Sequence, residues 1–500
     1  MALPHKYVKD LSASLVVFLV ALPLCMGIAL ASGAPPAKGL VTGIIGGIVV
    51  GAIAGSPLQV SGPAAGLAVL VFEIIHQHGY AALAPILMVA GLVQLVAGAA
   101  KLGRWFRAIS PAVIHGMLAG IGLLIVFQQF HVMFDGKPKG SGLANLVGIP
   151  GTVAHGLFPL GMSSALEASL MGCFTIAVMV LWEKFRPESL KLVPGALLGI
   201  GAASLTAMAL HLPINHVQVP DSLMSVLEFP TLAGFKALNS SAIGSALALA
   251  LIASAETLLS AAAVSKMQPA VKTDYDRELM AQGVGNILCG TVGAIPMTGV
   301  IVRSSANVQA GATSRVSAIM HGVWLLCTVL LFAGVLRAVP TSSLAGVLVL
   351  TGLKLVKVKD MRHLSSFGKV PILIYVATLV TIVSRDLLTG VAVGVGLSVA
   401  ALLYRTTQLT IYSEPMTGDA QWQLRFVGSA TFFRIPLISA ALDKVPAKST
   451  VHVVTDELSY VDHSCLEMLQ DWMDQAKGNG TSVVLENQTL EKKYWKQKAA

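Results

Sequence analysis

The amino-acid sequence predicts an all-α polytopic membrane protein with a small α/β domain at its C-terminal end. Three observations carry the prediction. Apolar runs of helix-spanning length recur as far as Arg405, two of them are broken by Gly, Pro and polar residues in comparable places, and beyond Arg405 the pattern changes to short β-like stretches. Hydrophobic residues make up 55% of the 500-residue chain and charged ones only 12%, with mean hydropathy +0.75. An ordinary soluble protein carries roughly 25% charged residues. The runs are also too continuous for an outer-membrane barrel, whose alternating strands are about ten residues long.

In chain order, the amphipathic MALPHKYVKD leads into a first span near 11–32, and after APPAKG a Gly-rich second span runs near 40–54. Its glycines permit close helix packing. The first broken stretch, GSPLQVSGPAAG at 55–66, opens a helix near 63–75. At 1.5 Å per residue that helix is too short for about 30 Å of hydrocarbon, so it reads as a half-helix. Spans 4 to 7 follow near 81–100, 111–130, 165–182 and 193–211, with a long Gly-rich loop before the sixth, and a polar loop at 212–239 separates the halves. The pattern recurs: spans near 242–264 and 278–292, the second broken stretch GNILCGTVGAIPMTGVIVRSSANVQAGATSR at 285–315, then spans near 316–336, 344–355, 370–383 and 387–403. Seven segments per half is an odd number, so the second half inserts in the opposite sense to the first. The membrane domain, 1–411, is therefore expected to hold 14 segments as a 7+7 inverted repeat, about 10–211 and 239–410.

Charge tests that count. With a cytoplasmic N-terminus, the loops expected in the cytoplasm hold Lys101, Arg104 and Arg107; Lys184, Arg186 and Lys191; Lys266, Lys272 and Arg277; and Lys354, Lys357, Lys359 and Arg362. The opposite loops are poorer in Lys and Arg, although Lys137, Lys139 and Lys236 fall there. Both termini are thus expected in the cytoplasm. The net charge of +9 reflects these loops rather than nucleic-acid binding. The apolar run after Asp10 lacks a cleavage site and reads as a span, not a removable signal. The five cysteines are scattered without metal or CxxC spacing and read as packing residues. After Arg405, WQLRFVG, STVHVVTDEL and TSVVLEN alternate with helix-like stretches near 435–443 and 464–477. Leu466, Met468, Leu469, Trp472 and Met473 could cover the sheet of this small domain, 417–490.

Two breaks in matching positions are the best sequence pointer to a transporter's binding site. A half-helix N-terminus offers unpaired N–H groups and partial positive charge to an anion. If the half-helices after Val60 and Val302 face each other, an anion between them meets Val60, Ser61, Gly62, Pro63 and Ala64 on one side and Thr298, Gly299, Val302, Arg303 and Ser304 on the other. Gly62 would let a ligand approach the backbone. The alternative is that Gly and Pro only kink packed helices. A charge such as Arg303 near the bilayer centre costs about 3 kcal/mol and normally faces a cavity or a partner, which leaves open a structural pair with Glu256. Glu256 stands alone in ALALALIASAETLLSAAAV, with Ser260 one turn later on the same face. It could load and release a proton or, ionised, share a sodium ion with the Ser260 hydroxyl. His115, His131 and His321 read as local hydrogen-bonding residues rather than relays, and Glu73 as reaching the aqueous edge.

The motifs SGPAAG, AETLLS, GNILCGTVGAIPMTG with RSSANVQAGA, and SYVDHS at 459–464 together resemble the SulP (SLC26-type) anion transporter family over nearly the whole chain. The resemblance implies core and gate domains moving in an elevator-like manner, an anion between the third and tenth segments, a homodimer, and a C-terminal STAS domain. It also implies a bacterial inner-membrane location. In sodium-driven bicarbonate relatives an acidic residue and a hydroxyl residue one turn later bind the cation, and Glu256 with Ser260 match that spacing. The chain departs from the family in the first span, where Pro-Gln-Gly-x-Ala-Tyr appears as Cys25, Met26, Gly27, Ile28, Ala29 and Leu30. Two polar groups are missing there, which favours a small anion such as bicarbonate over sulfate or a dicarboxylate. LVVFLVALPLCMGIALASGAP resembles the branch associated with carbonic anhydrase partners. Ser464 stands where soluble STAS relatives carry a phosphorylatable serine; a phosphate there would meet a helix N-terminus, and an unmodified N-cap serine is the alternative.

The expected function is secondary transport of bicarbonate or another small inorganic anion, coupled to Na+ or H+ through Glu256, with no enzymatic activity and no further cofactor. A sulfate or dicarboxylate symporter of the same family is the alternative, and an anion channel and a STAS-linked membrane sensor are the readings of other classes.

Overall fold

Proline and glycine set many of the helix limits in the computed structural model, which describes residues 5–103, 110–157, 163–190, 193–218, 223–236, 238–416 and 420–486. α1 (His5–Ala31) absorbs the amphipathic leader. α2 (Pro36–Ile45) begins ahead of the expected 40 because proline suits the first helical turn, and it continues through a π-helical turn at 46–50 into α3 (Gly51–Ile53). The first break holds the two-residue strand β1 (Ser61–Gly62) and ends at α4 (Ala65–His78). There follow α5 (Tyr80–Ala99), α6 (Pro111–Met133), α7 (Gly142–Leu157), α8 (Ser164–Phe185), α9 (Gly195–Ala209) and the short α10 (Leu232–Lys236). The second half comprises α11 (Ser240–Met267), α12 (Tyr275–Thr291), β2 (Thr298–Gly299), α13 (Ile301–Gln309), α14 (Val316–Leu331), α15 (Ala333–Arg337), α16 (Thr341–Leu355), α17 (Val358–Ser365), α18 (Lys369–Ser384) and α19 (Leu387–Thr406). Eight of the described helices are long and apolar enough to cross a membrane.

Two expectations for the membrane helices need correction. The Gly-rich loop before the sixth span is largely helix α7, in which Gly142 abuts Leu124 and Val383 and Gly156 abuts Phe134, although Gly151 meets nothing. The second half-helix starts at Ile301, so Val302, expected to precede it, belongs with Arg303 to its first turn. Arg104, Arg107 and Lys191 lie outside the described residues.

Packing repeats between the halves with partners exchanged. α5 packs on α12 as α14 packs on α2; α1 packs on α14 as α11 packs on α5; α1 meets α13 as α11 meets α4. α6 packs on α18 as α16 packs on α8, and α6 and α16 pack on each other. Such reciprocal pairs are what an inverted repeat produces. They also sort the helices into one group containing both half-helices (α1, α2, α4, α5, α11 to α14) and another built on α6, α8, α9, α16 and α18. In the first group Asp10, fully buried, accepts hydrogen bonds from the backbone and hydroxyls of Thr313 and Ser314, tying α1 to the turn before α14.

Contacts divide the chain into two compact units, one ending at Val395 and one beginning at Gly396. The second contains a four-stranded sheet in the order β3 (Leu409–Pro415), β4 (Gln421–Ala430), β5 (Thr450–Val461), β6 (Ser482–Leu485). β3 pairs antiparallel with β4, while β4–β5 and β5–β6 are parallel and joined through α20 (Ile435–Leu442) and α21 (His463–Gly478). Leu424, Phe426, Val451 and Val453 of the strands meet Ile438, Cys465 and Leu469 of the helices in one core. The expected start at 417 leaves out β3, whose pairing with β4 extends the sheet. The N-cap of α21 is Asp462, whose carboxylate accepts from the Cys465 N–H, and Ser464 is an exposed residue of the first turn.

Candidate functional site

The two breaks meet. β1 and β2 pair antiparallel with Ser61 opposite Gly299 and Gly62 opposite Thr298, and the Val300 N–H donates to the Val60 carbonyl at 2.9 Å. All ten residues expected at the anion site are brought to this crossing or to the first turns beside it. Several of their polar groups already hold the crossing together. The Val60 N–H donates to Ser304 Oγ (3.0 Å), Ser304 Oγ to the Val300 carbonyl (2.7 Å), Gln282 Nε2 to Ser61 Oγ (2.6 Å), and the Gly299 N–H to Thr257 Oγ1 (3.0 Å). Val302 is 45% exposed while its neighbour Arg303 is fully buried.

Close approach explains three glycines. A methyl group on Gly62 would strike Arg303 Nη1, and one on Gly299 would strike Gln59 Nε2, which donates to the Thr257 carbonyl at 3.2 Å. At Gly62 the group lying against the backbone is therefore the Arg303 guanidinium. Arg303 Nη2 donates to the Pro63 carbonyl at 3.1 Å; Nε and Nη1 have no hydrogen-bond partner among the described residues. Cys25, one of the residues that break the first-span pattern, lies beside it. No ion pair joins Arg303 to Glu256 among the described residues.

Glu256 faces the other half-helix. A methyl on Gly66, the second residue of α4, would lie 2.6 and 2.7 Å from its two carboxylate oxygens, so the carboxylate sits against the first turn of α4, where the helix dipole favours negative charge. Glu256 Oε2 and Ser260 Oγ are buried and unpartnered among the described residues. Both line a cavity of about 100 Å³, together with Ile301 of α13 and with His115, Leu118, Leu355, Lys357, Asp360 and Tyr375. The site can thus present an anion to two helix N-termini and hold a proton or a cation at Glu256. His115 joins this cavity, whereas His131 bonds Thr152 and the Asn145 carbonyl, and His321 bonds the Ala318 carbonyl.

The sequence reading missed the supports of the crossing. Glu278, fully buried, accepts from the Ser56 N–H and from Gln282 Nε2; Asn286 holds Met297 N–H and carbonyl and donates to Gln94 Oε1; Gln94 donates to Ser254; Asn307 donates to the Leu58 carbonyl. Their one available signal was the presence of amide and acidic side chains inside apolar helices, which normally face partners.

Comparison with known proteins gives a consistent result. The model of the sulfate permease family matches residues 7–378. The chain is 28% identical to the Putative sulfate transporter YvdB of Bacillus subtilis (strain 168), covering 96% of this chain and 91% of that one. It is 25% identical to the Bicarbonate transporter BicA of Picosynechococcus sp., covering 83% and 74%. Among solved structures, the murine Solute Carrier 26 family member A9 anion transporter in the inward-facing state aligns with TM-score 0.81 at 16% identity over 98% of this chain and 88% of that one. The transmembrane domain of a cyanobacterial BicA aligns with TM-score 0.66 at 21% identity over 78% and 98%. These structural likenesses show a shared multi-span helical fold.

Proposed function

The chain belongs to the sulfate permease family, and from that premise we propose that it is a secondary transporter of a small inorganic anion, with bicarbonate as substrate and Glu256 as the coupling group. Anion transport across a membrane, not enzymatic catalysis, is the family's activity. The observation that carries the finer reading is the junction of Glu256 with the crossing: a buried carboxylate at the first turn of α4, with Ser260 beside it, in a cavity that ends on the first residue of α13. An anion between the two half-helices and a proton or sodium ion at Glu256 would then share one rigid unit. That unit slides against the group built on α6 and α16, which forms the opposite cavity wall, so carrier motion follows an elevator path. With the basic loops in the cytoplasm, both termini lie there too.

A small anion suits this crossing because Ser304 and the Gly299 N–H are already engaged, leaving the helix N-termini, Arg303 and the Ser61 O–H as the main donors. Sulfate is the second reading, favoured by the name of the Bacillus subtilis relative. Proteoliposomes decide between them. Uptake of labelled bicarbonate should be saturable, driven by a cation gradient, and competed by bicarbonate more strongly than by sulfate, chloride or fumarate, each tested with and without sodium. Glu256→Gln should abolish accumulation while leaving the protein folded. Unitary currents without coupling would replace the carrier with a channel, and unchanged accumulation in Glu256→Gln would remove its coupling role.

A further inference from the structure

We propose that His115 and Asp360 form a proton port that connects Glu256 with the cytoplasm, which makes the coupling ion a proton. The inference rests on the coupling role of Glu256 given above and adds to it the route and the ion. The cavity beside Glu256 has a buried end and a wet end. At the buried end are Glu256 Oε2 and Ser260 Oγ, unpartnered among the described residues; at the wet end His115 and Asp360 are about a third exposed. The rest of the lining is mostly apolar: Met117, Leu118, Leu259, Ile301 and Leu355. The cavity, about 100 Å³, has room for several waters. Apolar walls give such waters few partners besides each other and the two polar ends, which favours a water chain linking those ends.

The chemistry at the wet end suits proton release. His115 Nδ1 lies 3.0 Å from Asp360 Oδ2, so Nδ1–H donates to the carboxylate and Nε2 is left as the acceptor. In the outward direction Glu256 breaks its O–H bond to the nearest water, the water chain passes one proton along, and His115 Nε2 forms an N–H bond. The imidazolium, beside the Asp360 carboxylate, then gives its proton to bulk water and returns to neutral; uptake runs the same steps in reverse. The other charged or titratable groups lining the cavity are Lys357 and Tyr375. Lys357 is exposed, and Lys354, a turn away from it, is paired with Glu183 at 2.6 Å. The turn and helix carrying Lys357 and Asp360 form the basic loop that the charge bias assigns to the cytoplasm.

The test uses the full chain in proteoliposomes containing a pH dye, with labelled bicarbonate as the probe. Two readouts are compared: net uptake driven by a pH gradient, which requires proton turnover at Glu256, and counterflow exchange of labelled for unlabelled anion, which requires only carrier motion. His115→Gln is expected to slow gradient-driven uptake about a hundredfold, the lower end for loss of a positioned base, while counterflow continues. Added imidazole should restore part of the lost rate, and Asp360→Asn should give an intermediate loss. Unchanged net uptake in His115→Gln, or equal loss of both readouts without imidazole rescue, would overturn the port. Wild-type uptake that needs sodium and moves no protons would also overturn it while leaving anion transport intact. Failure of Glu256→Gln to affect uptake would instead remove the coupling reading on which the port stands.

Discussion

Gly66→Ala tests the contact on which the functional reading turns. The added methyl would lie 2.6 and 2.7 Å from the Glu256 carboxylate oxygens, where ordinary van der Waals contact begins near 3.4 Å. The carboxylate must therefore retreat by about 0.7 to 0.8 Å or α4 must shift. Overpacking of this kind costs about 1–3 kcal/mol. Moving the carboxylate from the helix N-terminus forfeits a further 0.3–1 kcal/mol or so. Better helix propensity returns at most about 1 kcal/mol, less in a first turn. The net expectation is about 1–3 kcal/mol, or roughly a 5- to 150-fold loss in occupancy of the coupled arrangement. Accumulation in proteoliposomes and thermal unfolding in detergent provide the two measurements. In a Glu256→Ala background the methyl has room, so the stability cost of Gly66→Ala should vanish, as a double-mutant cycle would show. Wild-type accumulation by Gly66→Ala, or an equal cost in both backgrounds, would refute the placement of Glu256 against α4.

Thr257→Val removes the oxygen that accepts the Gly299 N–H and leaves that donor buried, so thermal unfolding should show a loss of about 1–3 kcal/mol, with Thr257→Ser close to wild type. In the C-terminal domain, burial, then the hydrogen bond and charge of Asp462, push the Cys465 thiol up to about 12. Its thiolate is accordingly scarce at pH 8, and iodoacetamide followed by peptide mass spectrometry should label Cys465 only after the domain is unfolded; rapid labelling of the native protein would contradict its place in the core.

Composition and punctuation made most of the architecture legible. Long apolar runs define spans wherever packing adds only limits, as at α5 and α6, and Gly-Pro clusters mark 55–66 and 285–315 as breaks. Helix α7 was hidden because glycine carries the same signal in a loop and in a helix pressed against its neighbours. The site was legible by residue type and not by partnership. Ser61 and Ser304 were picked out as polar residues at the breaks, while their bonds to Gln282 and the Val300 carbonyl had no signal in the spacing. No local spacing relates Gln59 to Thr257, or Gln94 to Asn286, because each pair is joined only after the two halves have folded together. The same is true of His115, a lone histidine in sequence that three-dimensional packing places in one cavity with Glu256.

The crossing also explains why so costly a feature as two interrupted helices survives inside a membrane protein. Each interruption strands backbone N–H and C=O groups at a depth where lipid offers no partner, and non-helical backbone is tolerated there only when protein satisfies it. Here each break supplies partners for the other: β1 pairs with β2, Val300 with Val60, and the Val60 N–H with Ser304, while Thr257 and Asn307 complete the remaining edges. Neither half-helix can withdraw without unpairing groups in both, at about 1–3 kcal/mol for each group left buried and unsatisfied. A site held together as one unit is thus a consequence of how the broken backbones are hydrogen-bonded, before any ligand is considered.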